Sequence, residues 1–181
     1  MKELRTLFLV ILMAGIVSSC SEELDFDQYN DLQVRPTLEA GIFYVKAQES
    51  VINRINGLRF FTQDFNFDAF EEPFFSNRVL EGSITYELEN TTSKDIQIAI
   101  EFLDETGTVL DMESFQMTAA PTALLTREVA YGPAGKSLDI LRNTTTIRLI
   151  ASNLGDNTST SSLDDPAVVL RSSGQFTLRI K

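Results

Sequence analysis

The sequence predicts an all-β protein whose 181 residues form one β-sandwich domain. Apolar and polar residues alternate with a period of two in five segments, which is typical of half-buried strands. Turn-forming residues separate these segments at short intervals, as they do in β-sandwiches. The composition has 43% hydrophobic residues and a single Cys. It is that of a globular domain that folds without a disulfide framework.

The alternating segments predict most of the strands. Each has one apolar face, which in the first segment includes Leu38 and Tyr44. Another segment changes the parity of its apolar residues between Met112 and Phe115, which predicts a β-bulge there. A further strand is expected within residues 122–131, so the total is about seven strands. We expect them to form a sandwich of immunoglobulin-like architecture. The five clear segments cover residues 38–44, 80–88, 96–102, 147–151 and 176–180.

Short polar stretches predict the connections between strands. Residues 90–93 separate two clear strands and are predicted to be a hairpin loop. Residues 104–107 are predicted to be another, in which Gly107 takes a positive φ. A longer polar loop over residues 153–166 precedes the last strand.

The tripeptide Gly135-Lys136-Ser137 is similar to the end of a phosphate-binding loop. The complete pattern requires Gly at the position that Ala130 occupies, so the match is incomplete. We expect instead a turn into the one short helix, over residues 138–142, with Ser137 as its N-cap.

The first twenty residues have the features of a secretion signal. Lys2 and Arg5 form a basic head, and residues 7–17 are apolar without interruption. That run is shorter than the roughly 20 residues needed to cross a bilayer, and it suits the apolar region of a signal peptide. It ends in the sequence Val-Ser-Ser-Cys at residues 17–20.

This ending resembles the lipobox of bacterial lipoproteins. The resemblance implies cleavage after a signal peptide of residues 1–19 and attachment of lipid to the sulfur of Cys20. Val17, Ser18 and Ser19 would be the recognition positions, and the membrane would be a partner through the lipid on Cys20. The alternative is a plain secretory signal that happens to end near a Cys. Two or three acyl chains would anchor the protein stably.

An acidic stretch follows Cys20. Residues 21–23 are Ser-Glu-Glu and residues 25–27 are Asp-Phe-Asp, which resembles the export signal and tether of surface lipoproteins of the Bacteroidota. The body also resembles uncharacterised envelope lipoproteins of that group. The resemblance implies an outer-membrane protein that faces the cell surface rather than the periplasm, although any solvated linker can have this composition. We therefore expect a lipidated Cys and flexible tether over residues 20–35, and the β-sandwich over residues 36–181.

Charge and residue usage exclude several functions. The chain has 15 Lys and Arg against 26 Asp and Glu, a net charge of −11. Nucleic acid is disfavoured as a partner because phosphate contacts need a basic surface. There is no His, so a His general base, a Cys–His nucleophile and a His or Cys zinc site are excluded. We expect no enzymatic activity, no cofactor and no bound metal.

Paired carboxylates leave one enzymatic alternative open. A glycosidase needs two acids that flank one bond, and the pairs Asp64 with Asp68 or Glu71 with Glu72 can be considered for it. Such pairs arise by chance in a chain this acidic.

Calcium is the least implausible ion because it binds oxygen ligands. Residues 25–31 begin like an EF-hand loop, but Tyr29 occupies a ligand position and Asn30 occupies the position that requires Gly. A second calcium candidate is the polar loop that contains Asp156, Asn157, Asp164 and Asp165. A solvated acidic loop accounts better for both stretches.

Phenylalanine is concentrated within residues 60–75. This segment is either an apolar patch for a partner or ligand, or a flap that closes one end or edge of the sandwich. Phe65 and Phe67 share the parity of a strand face, and Phe70 and Phe74 lie one helical turn apart. We expect Phe65 and Phe67 to be core residues, covered by Phe70 and Phe74 as a lid. The segment contains Phe60, Phe61, Phe65, Phe67, Phe70, Phe74 and Phe75.

The sequence therefore predicts a non-enzymatic, lipid-anchored envelope protein that acts in binding or assembly, with an unknown protein or glycan as its partner. A glycan-binding accessory protein is one alternative, although sugar platforms favour Trp, which this chain lacks. A secreted hydrolase that uses carboxylates is the other.

Overall fold

In the computed structural model of the protein, the described residues form eight antiparallel strands in two four-stranded sheets. The structure describes residues 3, 33–55, 58–70, 72–119 and 124–180. The all-β sandwich is confirmed, with eight strands where about seven were predicted. The strands are β1 (Thr37–Gln48), β2 (Arg59–Asn66), β3 (Val79–Asn90), β4 (Ile96–Leu103), β5 (Val109–Met117), β6 (Leu125–Tyr131), β7 (Thr146–Asn153) and β8 (Ala167–Leu178).

The strand order is that of a jelly roll. One sheet has the order β1-β8-β3-β6 and the other β2-β7-β4-β5. A jelly roll arises when one long antiparallel hairpin folds over to form two sheets. Its strand pairs are the ones observed here, namely β1–β8, β2–β7, β3–β6 and β4–β5. The strand order was not part of the prediction, because alternation reveals the faces of a strand but not its partners, and it is not the order of an immunoglobulin domain.

The core lies between the two sheets. Burial alternates along most of β3: Ile84, Tyr86 and Leu88 are fully buried, and the residues between them are partly exposed. Fully burying such a side chain contributes about 1.5–3 kcal/mol. The inner faces of β4, β7 and β8 complete the core with Ile96, Ile98, Ile100, Phe102, Ile147, Leu149, Leu170, Phe176 and Leu178.

The connection over residues 90–93 is not the predicted hairpin loop. It carries the chain from β3 in one sheet to β4 in the other. The buried side chain of Asn90 fixes it by donating to the carbonyl oxygens of Lys94 and Thr118 and by accepting from the backbone N–H of Thr92. The predicted hairpin between β4 and β5 is confirmed, and Gly107 has a φ of 81°.

Two irregularities change the faces of edge strands. The β1–β8 register shifts between Gly41 and Phe43, so Tyr44 is 59% exposed rather than part of the predicted apolar face. In β5 the shift lies between Val109 and Asp111, earlier than the predicted position between Met112 and Phe115. Asp111 and Glu113 therefore share the inward parity of Phe115.

The predicted helix is confirmed, and further short turns accompany it. The helix (Leu138–Arg142) begins after Ser137, whose hydroxyl accepts from the backbone N–H of Asp139. In chain order it is α3, after α1 (Glu49–Ile52) and α2 (Pro73–Ser76), and a 3₁₀ turn (Asp68–Phe70) precedes α2.

The predicted signal peptide, apart from Glu3, lies outside the described residues, as do Cys20 and the tether up to residue 32. Among the helices that the structure describes, none has the length and apolar character needed to cross a membrane.

Candidate functional site

An apolar pocket of about 420 Å³ opens at the end of the sandwich where β1 begins. Leu38, Ala40 and Ile42 of β1 line one side, and the segment after β2 lines the other. This volume is within the range of about 300–1,000 Å³ that is usual for small-molecule sites. The described lining consists of Leu38, Ala40, Gly41, Ile42, Phe67, Ala69, Phe70, Glu72, Phe74, Phe75 and Phe176.

The local sequence explains why this end of the sandwich is partly open. Strand β2 ends at Asn66, so the second sheet does not extend over the first half of β1. The backbone N–H of Phe67 donates to the carbonyl of Thr145, which fixes the chain as it leaves β2. Pro73 then begins α2 at a position where its missing N–H costs nothing. The segment between them covers the end with a few aromatic rings instead of a strand.

The structure corrects the predicted roles of the Phe residues. Phe70 and Phe75 are buried, at 3% and 9% exposure. Phe65 lies on the edge strand β2 and Phe67 directly after it. Both are only half-buried and pack against the core, and they are not the buried core residues that we predicted. Phe74 is 52% exposed and is not a closed lid, since the turn of α2 directs Phe75 inward instead.

Four rings form a rigid wall and floor for the pocket. The ring centroids of Phe70 and Phe75 lie 5.1 Å apart, and those of Phe67 and Phe70 lie 4.5 Å apart. Phe176 of β8 meets Phe70 and Phe75 edge-on, at 5.4 and 5.1 Å. Such pairs contribute about 0.5–1.5 kcal/mol each beyond the burial of their area. The pocket therefore belongs to the folded core and is not a loose surface depression.

One charged residue lines the described part of the pocket, and two arginines lie near the Phe74 ring or next to each other in the backbone. The guanidinium carbon of Arg78 lies 4.8 Å from the ring centroid of Phe74. Arg179 is close by, because its backbone N–H donates to the carbonyl of Arg78. Within the described part of the chain, neither guanidinium forms an ion pair. Glu72 is the charged side chain in the described lining.

Neither carboxylate pair considered for a hydrolase has both side chains within the described residues, and each leaves one member to describe. Asp64 forms a bidentate ion pair with Arg148, with N–O distances of 2.7 and 2.9 Å. These hydrogen bonds hold the pKa of Asp64 below its usual value, so it stays ionised. Glu72 lies at the rim of the pocket. Glu71 and the side chain of Asp68 lie outside the described residues.

The acidic loop before β8 is tied to two separate lysines. Asp156 lies 2.7 Å from the ammonium of Lys94, which together with Thr158 lowers the pKa of Asp156 to about 2. Asp165 lies 2.9 Å from the ammonium of Lys46. Among the described residues no three metal-ligating side chains converge, and the other calcium candidate, residues 25–31, lies outside them.

Lys136 belongs to a polar cluster at the β5–β6 edge, which sequence reasoning missed. Its ammonium lies 2.6 Å from a carboxylate oxygen of both Asp111 and Glu113. Burial alone would lower the pKa of Lys136. The contacts with the two carboxylates outweigh burial, so the pKa of Lys136 is raised. Arg127 also binds Glu113, at 3.1 Å. The cluster could not be predicted because the bulge in β5 lies earlier than the sequence pattern indicated, and this position is what turns Asp111 and Glu113 inward.

Two tyrosines lie beside this cluster. The hydroxyls of Tyr86 and Tyr131 are buried, and neither has a hydrogen-bond partner among the described residues. Burial, reinforced by the carboxylates of Asp111 and Glu113, raises the pKa of both phenols. Both side chains therefore stay protonated and serve as core residues.

Comparisons with known proteins give no family. No protein-family model matches the chain, and no curated protein sequence does. The VP2 subviral particle of infectious bursal disease virus is 10% identical with a TM-score of 0.41, covering 80% of this chain and 33% of that chain. A pilus protein of Bacillus endospore appendages is 10% identical with a TM-score of 0.35, covering 81% and 91%. The chain thus spans about a third of the length of the viral protein.

Proposed function

We propose that this protein is a non-enzymatic, lipid-anchored envelope protein that binds an apolar ligand. The ligand would lie in the pocket between β1 and the phenylalanine-rich residues 60–75, here called the Phe segment. The observation that supports binding is the pocket itself. It is framed by buried aromatic rings, yet Leu38 and Phe74 at its rim are 47% and 52% exposed. Apolar side chains held open in this way are typical of ligand and partner sites.

The lipobox supports the anchor and its position. The chain from Cys20 to Thr37, where β1 begins, is 17 residues long and spans at most roughly 60 Å when extended. The pocket lies at the end of the domain where β1 begins. A lipid on Cys20 would keep the domain within the reach of this tether from the outer membrane, on the cell surface in the orientation that the acidic tether favours.

The chemistry of the pocket favours an apolar ligand over the two alternative functions, which are glycan binding and glycoside hydrolysis. Recognition of a glycan needs hydrogen-bonding side chains for its hydroxyl groups, and the described lining offers only Glu72. A glycosidase needs two carboxylates on either side of the bond, and the same lining holds one. An apolar ligand needs neither.

The anchor and the pocket are tested separately. Labelling of growing cells with a fatty acid should mark the wild-type chain and not the Cys20→Ala variant. Label that remains on the variant would contradict lipidation at this residue.

For the pocket, an environment-sensitive apolar dye should bind the full chain carrying Cys20→Ala. Filling the pocket with Ala40→Phe should reduce the dye signal. Leu163→Ser is the control, because Leu163 is 54% exposed and does not line the pocket. Equal dye binding by both variants would place the apolar site elsewhere.

A further inference from the structure

We propose that the occupant of this pocket is a long-chain fatty acid, with its aliphatic chain between β1 and the Phe segment and its carboxylate at Arg78. This inference rests on the proposed binding function and gives its ligand a chemical class. It follows from the apolar lining and from the position of the Arg78 guanidinium over the ring of Phe74, which lines the pocket.

The lining favours an aliphatic chain. The β1 side runs from Leu38 to Ile42, four residue steps or about 13 Å along a strand. Along that length the described side chains on both sides are apolar apart from Glu72. A ligand portion inside the pocket therefore has no hydrogen bonds to make, and an elongated hydrocarbon fits this condition without leaving a polar group unsatisfied.

The rim favours an anionic head. Lys46, Lys94 and Lys136 each pair with a carboxylate of the domain, as expected for a protein with a net charge of −11. The guanidinium of Arg78 instead lies over the ring of Phe74, which itself lines the pocket. A guanidinium offers two parallel N–H donors that match a carboxylate. Since Phe74 lines the pocket, this guanidinium lies one aromatic ring away from the lining, and we place the head of the bound fatty acid there.

Glu72 makes the electrostatic argument testable in both directions. Its carboxylate also lines the rim and is exposed, so it repels an anionic head. Removing this charge should strengthen binding of a fatty acid, whereas removing the charge of Arg78 should weaken it. Neither change should affect a neutral ligand with the same hydrocarbon chain.

The experiment compares dodecanoate with dodecanol in displacing the apolar dye from the full chain carrying Cys20→Ala. An exposed ion pair supports a preference for dodecanoate of up to about fivefold. Arg78→Gln should remove this preference, Arg78→Lys should retain most of it and Glu72→Gln should increase it. Thermal melting of each variant verifies that the domain is folded, and Arg171→Gln is the matched control, because Arg171 lies over Tyr44 outside the pocket.

Three outcomes would overturn the inference. Equal affinities for dodecanoate and dodecanol that Arg78→Gln leaves unchanged would mean that the pocket does not select an anionic head. Dye binding that neither compound displaces would exclude a fatty acid, while the proposed binding function would stand. Displacement by an extended apolar peptide alone would identify the occupant as a strand added to the edge strand β1. Failure of the dye itself to bind would instead reject the proposed function.

Discussion

The ring of Phe176 lies directly on the backbone of Gly82, its partner across the β3–β8 pair. A Cβ atom at Gly82 would lie 2.2 Å from Cδ1 of Phe176 and 2.6 Å from the carbonyl oxygen of Gln175. The same ring also covers Gly174, where a Cβ atom would lie 2.5 Å from Cε2. Two glycines thus let the ring lie flat against the sheet, and this ring is part of the pocket lining.

Gly82→Ala should therefore destabilise the domain. The added methyl group has to displace both the Phe176 ring and a backbone oxygen, and overpacking of this kind costs about 1–3 kcal/mol. Gly41→Ala is the matched control, since nothing lies within 4 Å of a Cβ atom there. It should change the free energy of unfolding by less than about 0.5 kcal/mol. Chemical denaturation measures both, and equal stabilities would contradict the close approach.

Phe70→Ala and Phe74→Ala should separate the structural and binding parts of the Phe segment. Phe70 is 3% exposed and contacts three rings, so its truncation should cost about 3–5 kcal/mol. Phe74 is 52% exposed, and its truncation should leave the melting temperature nearly unchanged while weakening dye binding. A large loss of stability in Phe74→Ala would show that this ring closes the core after all.

The sequence was sufficient to predict the strands that alternate strictly. Strands β3, β4 and β7 each pair with a neighbouring strand on both sides. They therefore keep a regular strand conformation, and the period of two in the sequence appears in the structure as alternating burial. The helix Leu138–Arg142 was also predictable, because its cap, Ser137, acts through a local hydrogen bond.

The features that depend on distant contacts were not predictable. Residues 90–93 have hairpin composition, yet Asn90 binds the carbonyl of Thr118, 28 residues away, at a crossing between sheets. The apolar face of β1 ends at a register shift after Gly41 that no residue type requires. The Phe segment was identified as a candidate site, but which rings face inward depends on where β2 ends.

Lys136→Met should destabilise the β5–β6 edge. Glu113 has a side chain that is 10% exposed and binds both Lys136 and Arg127. Loss of the lysine removes a charge-assisted hydrogen bond from a mostly buried carboxylate, and we expect a cost of about 2 kcal/mol. Adding Glu113→Leu should recover part of this loss, because the mostly buried carboxylate that has lost one of its two cationic partners is then gone. A double-mutant cycle by chemical denaturation measures the coupling, and strictly additive effects would contradict a direct pair.

The contact between Lys94 and Asp156 should make stability depend on pH in the acid range. The Lys94 side chain is 2% exposed, and its ammonium reaches Asp156, whose side chain is 71% exposed, and the carbonyl of Thr158. The hydrogen bond from Lys94 and those from Thr158 lower the Asp156 pKa from 3.8 to about 2.

Because the pKa of Asp156 is lower in the folded state, the folded chain binds fewer protons than the unfolded chain between these two values. The stability that Asp156 contributes is therefore present in full above pH 4 and is lost as the pH falls towards 2. Asp156→Asn should lower the melting temperature at pH 6, and the difference from wild type should shrink steadily below pH 4. Asp139→Asn, which removes the exposed partner of Arg142, is the control and should have little effect at pH 6. A difference between wild type and Asp156→Asn that stays constant from pH 6 to pH 2 would show that the ionised carboxylate of Asp156 does not stabilise the buried ammonium of Lys94.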